Sequence, residues 1–227
     1  MKIVSFKKNH PKNAVGYLLA LWADENTEDV FKQYVIRSVD DSRRDAINLG
    51  FVRESGIYQA TERGHEAVRT IVYHHGSVNS ALTAIDAQSG RATRFIDVLP
   101  IMGVLTRQAL LEYQPTKILL NTLDSLADRG NTCPSLATVA KTIAQRRPTF
   151  ALNFFVASED RDDVRKSESG ELNLEKFDDG MIYSTHTTFQ YKAMLYHTGI
   201  LTARGNDTKA ELDPTSAVWA LEDPLVM

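Results

Sequence analysis

Between Leu49 and Gly64 the chain reads LGFVRESGIYQATERG, and this stretch limits the fold more than any other. Gly50 supplies the permissive backbone that ends a helix. Phe51-Val52-Arg53-Glu54 and Ile57-Tyr58-Gln59-Ala60 are short β-prone runs, and the Ser55-Gly56 pair between them predicts a two-residue β-hairpin. Thr61 is a plausible N-cap for the helix that follows, TERGHEAVRTIVYHH, with an apolar stripe at Ala67, Val68, Ile71 and Val72. A helix, a hairpin and a second helix therefore succeed one another without linkers.

Three helices are predicted upstream. In Asn13 to Ala23 the apolar residues Ala14, Val15, Leu18, Leu19 and Trp22 recur as one stripe of an amphipathic helix. Thr27 caps the next, with Glu28 and Asp29 in its first turn and Val30, Phe31, Tyr34 and Val35 as its buried face. Asp40 or Asp41 opens the third, Ser42 to Leu49. The order helix, helix, helix, hairpin, helix resembles a winged helix. The segment NLGFVRES-GIYQATERGHEAV is similar to the stretch in which a recognition helix ends in Leu-Gly-Phe/Leu-Val, a wing follows, and Thr-x-x-Gly opens the last helix.

Two helical patterns, Val78 to Ala87 and Arg94 to Tyr113, connect the halves, interrupted by Ser89-Gly90 and Pro100. Ile118, Leu119, Leu120, Leu123 and Leu126 mark a further helix that Gly130-Asn131 stops, and Pro134 to Ala144 starts another. The run FALNFFVA within Thr149 to Ala157 suits a buried helix or a strand. Ser184 to His197 follows, with Phe189, Met194 and Leu195 as core candidates. Gly199-Ile200-Leu201-Thr202 then repeats the earlier helix-to-strand transition, and Ala217 to Leu221 reads as a returning wing strand. The predicted fold is mainly α with small β-hairpins, an α+β chain. Two winged-helix-like modules, 1–75 and 115–227, are joined by a helical connector at 76–114, with an acidic insertion near 158–180.

The 227 residues include 26 basic and 29 acidic side chains and are 43% apolar, enough for one or two ordinary domains with a filled core. No apolar run approaches the roughly 18 residues of a membrane span, and MKIVSFKKNHPK lacks the apolar stretch of a signal peptide, which predicts a cytoplasmic protein without membrane contact. Ser158 to Gly180 holds nine acids and four bases, and the remainder then balances 22 bases against 20 acids. Basic patches remain at Lys7, Lys8, His10 and Lys12, at Arg43 and Arg44, and at Arg146 and Arg147. The acidic segment reads as a mobile, solvated loop that shields basic surface when DNA is absent.

Chemistry finds little purchase. One cysteine, Cys133, excludes multi-cysteine metal sites and internal disulfides. The six histidines, His74-His75, His186 and His197 among them, form no metal-ligand spacing, and Asp160, Asp162 and Asp163 lack the rest of a calcium loop. No phosphate loop or nucleophile motif occurs. No catalytic residue, metal or cofactor is predicted.

The order of motifs further resembles the DNA-recognition region of type IIS restriction endonucleases of the FokI kind. The residues that carry it are Asp45 to Val52, Tyr58 to Gly64, Tyr113-Gln114-Pro115 with Ile118-Leu119-Leu120, and Tyr191 to Leu195 before Gly199-Ile200-Leu201. The nuclease domain of such enzymes needs an acid and a later Asp/Glu-x-Lys on adjoining strands. Here the nearest match, Asp207-Thr208-Lys209, lies in a polar loop and reads as a wing tip. The resemblance thus implies a recognition region or subunit serving a separate nuclease, or a DNA binder that stands alone.

The expected partner is double-stranded DNA. Short polar helices suit the ~12 Å major groove, and Ser42, Arg43, Arg44 and Asn48 are the contacts predicted for the first module. Thr185, His186, Thr187, Gln190 and Lys192 hold comparable positions in the second. Lys7, Lys8 and Lys12 are read as a DNA-contacting arm that orders on binding, Pro11 disfavouring helix at His10. Two different recognition helices in one chain suit a monomer on a non-palindromic site. The alternatives are a winged-helix protein-interaction adaptor and a transcription or replication regulator.

Overall fold

Helices carry most of the chain, and among the described residues the regular β structure is one two-stranded antiparallel hairpin. The computed structural model describes residues 3, 5–8, 10–23, 29–30, 33, 38–87, 93–166, 171–203 and 209–222. The helix expected from Thr27 to Val35 falls almost wholly outside these residues, as do Asp207 and Thr208. The chain divides into an N-terminal unit, Ser5–Leu111 with His197–Gly199, and a C-terminal unit, Met1–Val4 and Glu112–Tyr196 with Ile200–Met227.

The N-terminal unit is built around α1 (Lys12–Trp22), which buries the predicted Ala14, Val15, Leu18 and Leu19. Trp22 lies at the exposed end of the stripe, edge-on to His65 at 5.1 Å. Helix α2 (Val39–Asn48) starts before Asp40 and Asp41. Ser38 takes a left-handed backbone (φ +59°) ahead of it, so both acids fall in the first turn, where they favour the helix dipole.

The hairpin joins β1 (Val52–Ser55) to β2 (Ile57–Ala60), paired from Val52↔Ala60 to Ser55↔Ile57. The reversal therefore closes around Gly56 alone and not around the two-residue Ser55-Gly56 loop. Glycine accepts the left-handed φ of +83° that this reversal requires. Thr61 caps α3 (Glu62–His75), its hydroxyl accepting from the Gly64 N–H at 3.0 Å and donating to the Gly50 carbonyl at 2.6 Å.

Helices α4 (Val78–Ala87), α5 (Phe95–Val98) and α6 (Pro100–Leu111) belong to the same unit, so the stretch predicted as a connector over 76–114 is part of the first module for most of its length. The reason is apolar surface. Ala81, Leu82, Ile85, Phe95, Met102 and Leu110 are buried, and α4 and α6 both lie against α3.

In the C-terminal unit, α7 (Gln114–Ala127) precedes α8 (Leu136–Arg146), which Ser135 caps by accepting from the Thr138 N–H at 3.1 Å. The run FALNFFVA resolves as a helix, α9 (Pro148–Phe155), before Val156 bridges to Tyr183. Phe154, Phe155, Tyr183, Tyr191 and Trp219 are fully buried and meet largely edge to face, Phe154 on Tyr191 at 5.3 Å and Phe155 on Trp219 at 6.2 Å. The returning strand makes two isolated bridges, Ser135↔Val218 and Leu201↔Leu221, where a second wing hairpin was predicted. Its backbone is nevertheless bonded on both sides. The Trp219 N–H donates to Pro134 O at 2.8 Å, and the Thr202 N–H donates to Ala220 O at 3.0 Å.

The acidic segment is not the freely solvated loop that its charge predicts. Its described residues form short turns at Ser158–Asp160, Leu174–Asp178 and Gly180–Ile182 and a four-residue helix, α10 (Arg161–Val164). Val164 and Phe177 are fully buried and Leu172 and Ile182 nearly so, while the Tyr183 hydroxyl donates to Phe177 O at 2.6 Å. Apolar anchors hold the backbone while most of the carboxylates face water. No helix of the described residues is long and apolar enough to cross a membrane.

Candidate functional site

Asp41, Arg44, Asp45 and Asn48 share one face of α2, because residues three and four apart are neighbours on a helix. The segment Ser5–Lys8 lies along this face. Asp45 grips it with both oxygens, accepting from the Lys7 N–H at 2.8 Å and the Lys8 N–H at 2.9 Å. Asn48 donates its side-chain amide to Ser5 O at 2.9 Å, and the Lys8 ammonium pairs with Asp41 at 3.1 Å. Phe6 is completely buried. The expectation of an arm that orders only on binding is corrected here: a buried aromatic and a chelating carboxylate already hold its backbone. Lys12 is likewise no arm residue but the first residue of α1, its N–H donating to His10 Nδ1 at 3.2 Å.

Another side of α2 meets the hairpin. The Arg43 guanidinium sits 4.3 Å from the centre of the Tyr58 ring and pairs with Asp40 at 2.6 Å, so a cation–π contact ties helix to hairpin. The Tyr58 hydroxyl donates to Glu54 at 3.0 Å. Arg44 is exposed and has no partner among the described residues. Ser42 is wholly buried, its hydroxyl donating to Ser38 O at 3.0 Å, which removes it from any partner's reach. Of the four α2 candidates, Arg44 is free, Arg43 is half-covered, Asn48 is committed to the N-terminal segment and Ser42 is internal.

The candidates of the C-terminal unit are less available. A single π turn, Thr185–Phe189, leads into α11 (Gln190–His197), whose residues Tyr191 to Leu195 are all buried. Lys192 is 2% exposed with its ammonium 5.7 Å from the Trp219 ring centre, which corrects its reading as a DNA contact. The Thr187 hydroxyl donates to Phe154 O at 2.5 Å, and His186 and Gln190 are half-buried. Thr185 alone of the five is exposed. Two cations near the acidic segment are matched by it: Lys141 pairs with Asp178 at 2.7 Å and Lys209 with Asp160 at 3.3 Å. Among the described residues no three His, Cys, Asp or Glu side chains gather as a metal-ligand set, and Cys133 is an exposed free thiol.

Asp45 organises the candidate site, a role that sequence reasoning passed over. Burial pushes its carboxyl up to about 7 from an ordinary 3.8, against the pull of the Lys7 and Lys8 N–H donors. Asp41 moves the other way. Burial works to raise it, but the Ser38 hydroxyl and the Lys8 ammonium more than offset that and hold it below the usual carboxylate range.

The folded chain thus keeps the Asp45 proton to higher pH than the unfolded chain does. The stability this contributes is complete below the unfolded value of 3.8 and declines as pH rises to about 7. Denaturant midpoints compared across pH 4 to 8 should show this decline in the parent and lack it in Asp45→Asn. Parallel profiles would contradict the assignment.

No protein-family model, no curated protein and no solved structure matches this chain.

Proposed function

We propose that the chain binds double-stranded DNA in a sequence-specific way through the N-terminal unit, arranged as a winged helix. Helix α2 serves as the recognition helix and the β1–β2 hairpin as the wing. The observation that carries this reading is the convergence of three segments. Lys7 and Lys8 are held along α2 by Asp45, Arg44 projects freely from the same face, and Arg43 joins the helix to the hairpin through Tyr58. Ten helical residues span about 15 Å, which suits one major-groove crossing. The free guanidinium of Arg44 is the group suited to guanine O6 and N7, and the two lysines suit phosphates. Recognition on behalf of a nuclease held elsewhere, as in the type IIS enzymes the sequence resembles, is one setting for such a unit.

Fluorescence anisotropy on a selected duplex at several salt concentrations tests the reading. Arg44→Ala should weaken binding by about 1–3 kcal/mol and relax preference at one base pair. Lys7→Ala with Lys8→Ala should weaken all duplexes alike and lower the salt slope by about 2. An unchanged slope would remove the lysines from the interface.

A protein-contact module is the second reading. Asp40 and Asp41 stand in the first turn of α2, where phosphates would meet carboxylates, and Ile57 beside the hairpin tip is 65% exposed. Absence of duplex binding above background at ~0.15 M salt would decide for it.

A further inference from the structure

Two clefts open on the C-terminal unit where α8 hands over to α9. The larger, about 370 Å³, is walled by Gln114, Asn121, Arg146 and Arg147 over a floor that includes Ile118 and Ile143. The smaller, about 280 Å³, shares Arg147 and is lined by Thr149, Phe150 and Asn153. The corner follows from the sequence. Pro148 disfavours helical backbone at the residue before it, and Arg147 accordingly takes φ −142°, ψ 66°, ending α8 and starting α9. Arg147 thereby stands between the two clefts and lines both, and Arg146 beside it lines the larger.

Their electrostatic setting differs from that of six other cations among the described residues. Lys8, Arg43, Arg94, Lys141, Arg165 and Lys209 each lie against a carboxylate. Arg146 and Arg147 are exposed and have no hydrogen bond or ion pair from their side chains among the described residues. Among the described residues neither cleft has an acid in its lining, although the chain as a whole carries a net charge of −3. Adjacent guanidiniums repel one another, and a bound anion offsets that cost. Phosphate fits the planar donor fork of arginine bidentately.

The rest of the larger cleft suits a planar heterocycle. Ile118 and Ile143 are almost fully buried, so a small apolar part of each forms the cleft floor against which a ring edge or face can rest. Gln114 and Asn121 are exposed above that floor with no side-chain partner among the described residues. Each amide presents a donor beside an acceptor, the pattern that complements the edge of a base. The volume falls in the range of small-ligand sites, ~300–1,000 Å³, and is far too small for a duplex.

We propose that these clefts bind a single nucleotide, its phosphate on Arg146 and Arg147 and its base over Ile118 and Ile143, with Gln114 and Asn121 along the base edge. The nucleotide is either free or one unpaired residue of a strand, since both present the same phosphate and base. Duplex binding by the N-terminal unit is not needed for this site.

Calorimetric titration of the full chain with AMP, GMP, CMP and UMP, with inorganic phosphate, and with a five-nucleotide single-stranded DNA tests the proposal. A nucleotide, free or within the oligonucleotide, should bind saturably and at least about tenfold more tightly than inorganic phosphate. The double variant Arg146→Ala/Arg147→Ala should lose at least about tenfold in affinity, and Gln114→Ala/Asn121→Ala should level the preference among bases. All four side chains are exposed, so circular dichroism spectra matching the parent will certify folding. Binding of the oligonucleotide alone identifies a strand residue as the ligand, and binding of the mononucleotides identifies the free form. Absence of saturable binding to every probe, equal affinity for phosphate and nucleotides, or full binding by the arginine double variant would each overturn it.

Discussion

Gly64→Ala is expected to unfold the N-terminal unit at moderate temperature, although it adds a single methyl group to a helix. A Cβ at position 64 would overlap the Phe51 carbonyl oxygen and press on the Leu18 side chain, and backbone cannot withdraw as a flexible side chain can. The same carbonyl accepts from the Thr61 N–H at 2.9 Å, and Thr61 caps the helix through the Gly64 N–H. Relieving the overlap therefore also disturbs the cap, worth about 1 kcal/mol by itself. Overpacking against backbone adds about 3 kcal/mol or more, and the two together approach the lower end of ordinary domain stability, ~5–15 kcal/mol.

Gly56→Ala supplies the control. Its Cβ meets nothing within 4 Å, and the left-handed φ costs only about 1–2 kcal/mol. Thermal melts of the two variants should differ by roughly 10 °C or more. Equal melting temperatures would show that α3 does not seat against the hairpin as described.

Phe177→Ala carries the second large effect. A solvated acidic loop would tolerate this change without consequence. The Phe177 ring is instead fully buried, in a turn whose backbone carbonyl accepts the Tyr183 hydroxyl, and loss of such a side chain typically costs about 3–5 kcal/mol. Glu175→Ala, an exposed change two residues away, should stay within about 0.5 kcal/mol. Chemical denaturation of both variants separates an anchored segment from a mobile one, and a Phe177→Ala midpoint equal to that of the parent would restore the mobile loop.

The elements that sequence reasoning places well are those whose signals are local. The stripe of α1, the Thr61 cap, the glycine after α2 and the β-prone runs on either side of Gly56 each depend on residues within one or two turns. The anchors of the acidic segment escaped because Val164, Leu172, Phe177 and Ile182 follow neither a helical nor a strand period, so their apolar character is diluted by nine surrounding acids. The clasp of Asp45 escaped for a different reason. Its partners are the backbone N–H groups of Lys7 and Lys8, and every residue but proline carries one, so no residue pattern marks the bond.

The candidate site shows the same division. Arg44 is polar in sequence and exposed in the fold, whereas Lys192 is equally polar but enclosed by a C-terminal core whose members are far apart along the chain. Polarity marks a residue that can reach a partner only if packing leaves it outside. On α11 packing does not, which shifts the proposed recognition onto α2 and removes the basis for two recognition helices reading one asymmetric site.

Selection from a random duplex pool by the full chain at ~0.15 M salt, with Arg44→Ala run in parallel, tests the central proposal most directly. The parent should enrich a short motif containing guanine, and Arg44→Ala should lose preference at one position of it while keeping the rest. A pool that remains unenriched, or a motif that survives Arg44→Ala unchanged at every position, would contradict duplex recognition by this surface.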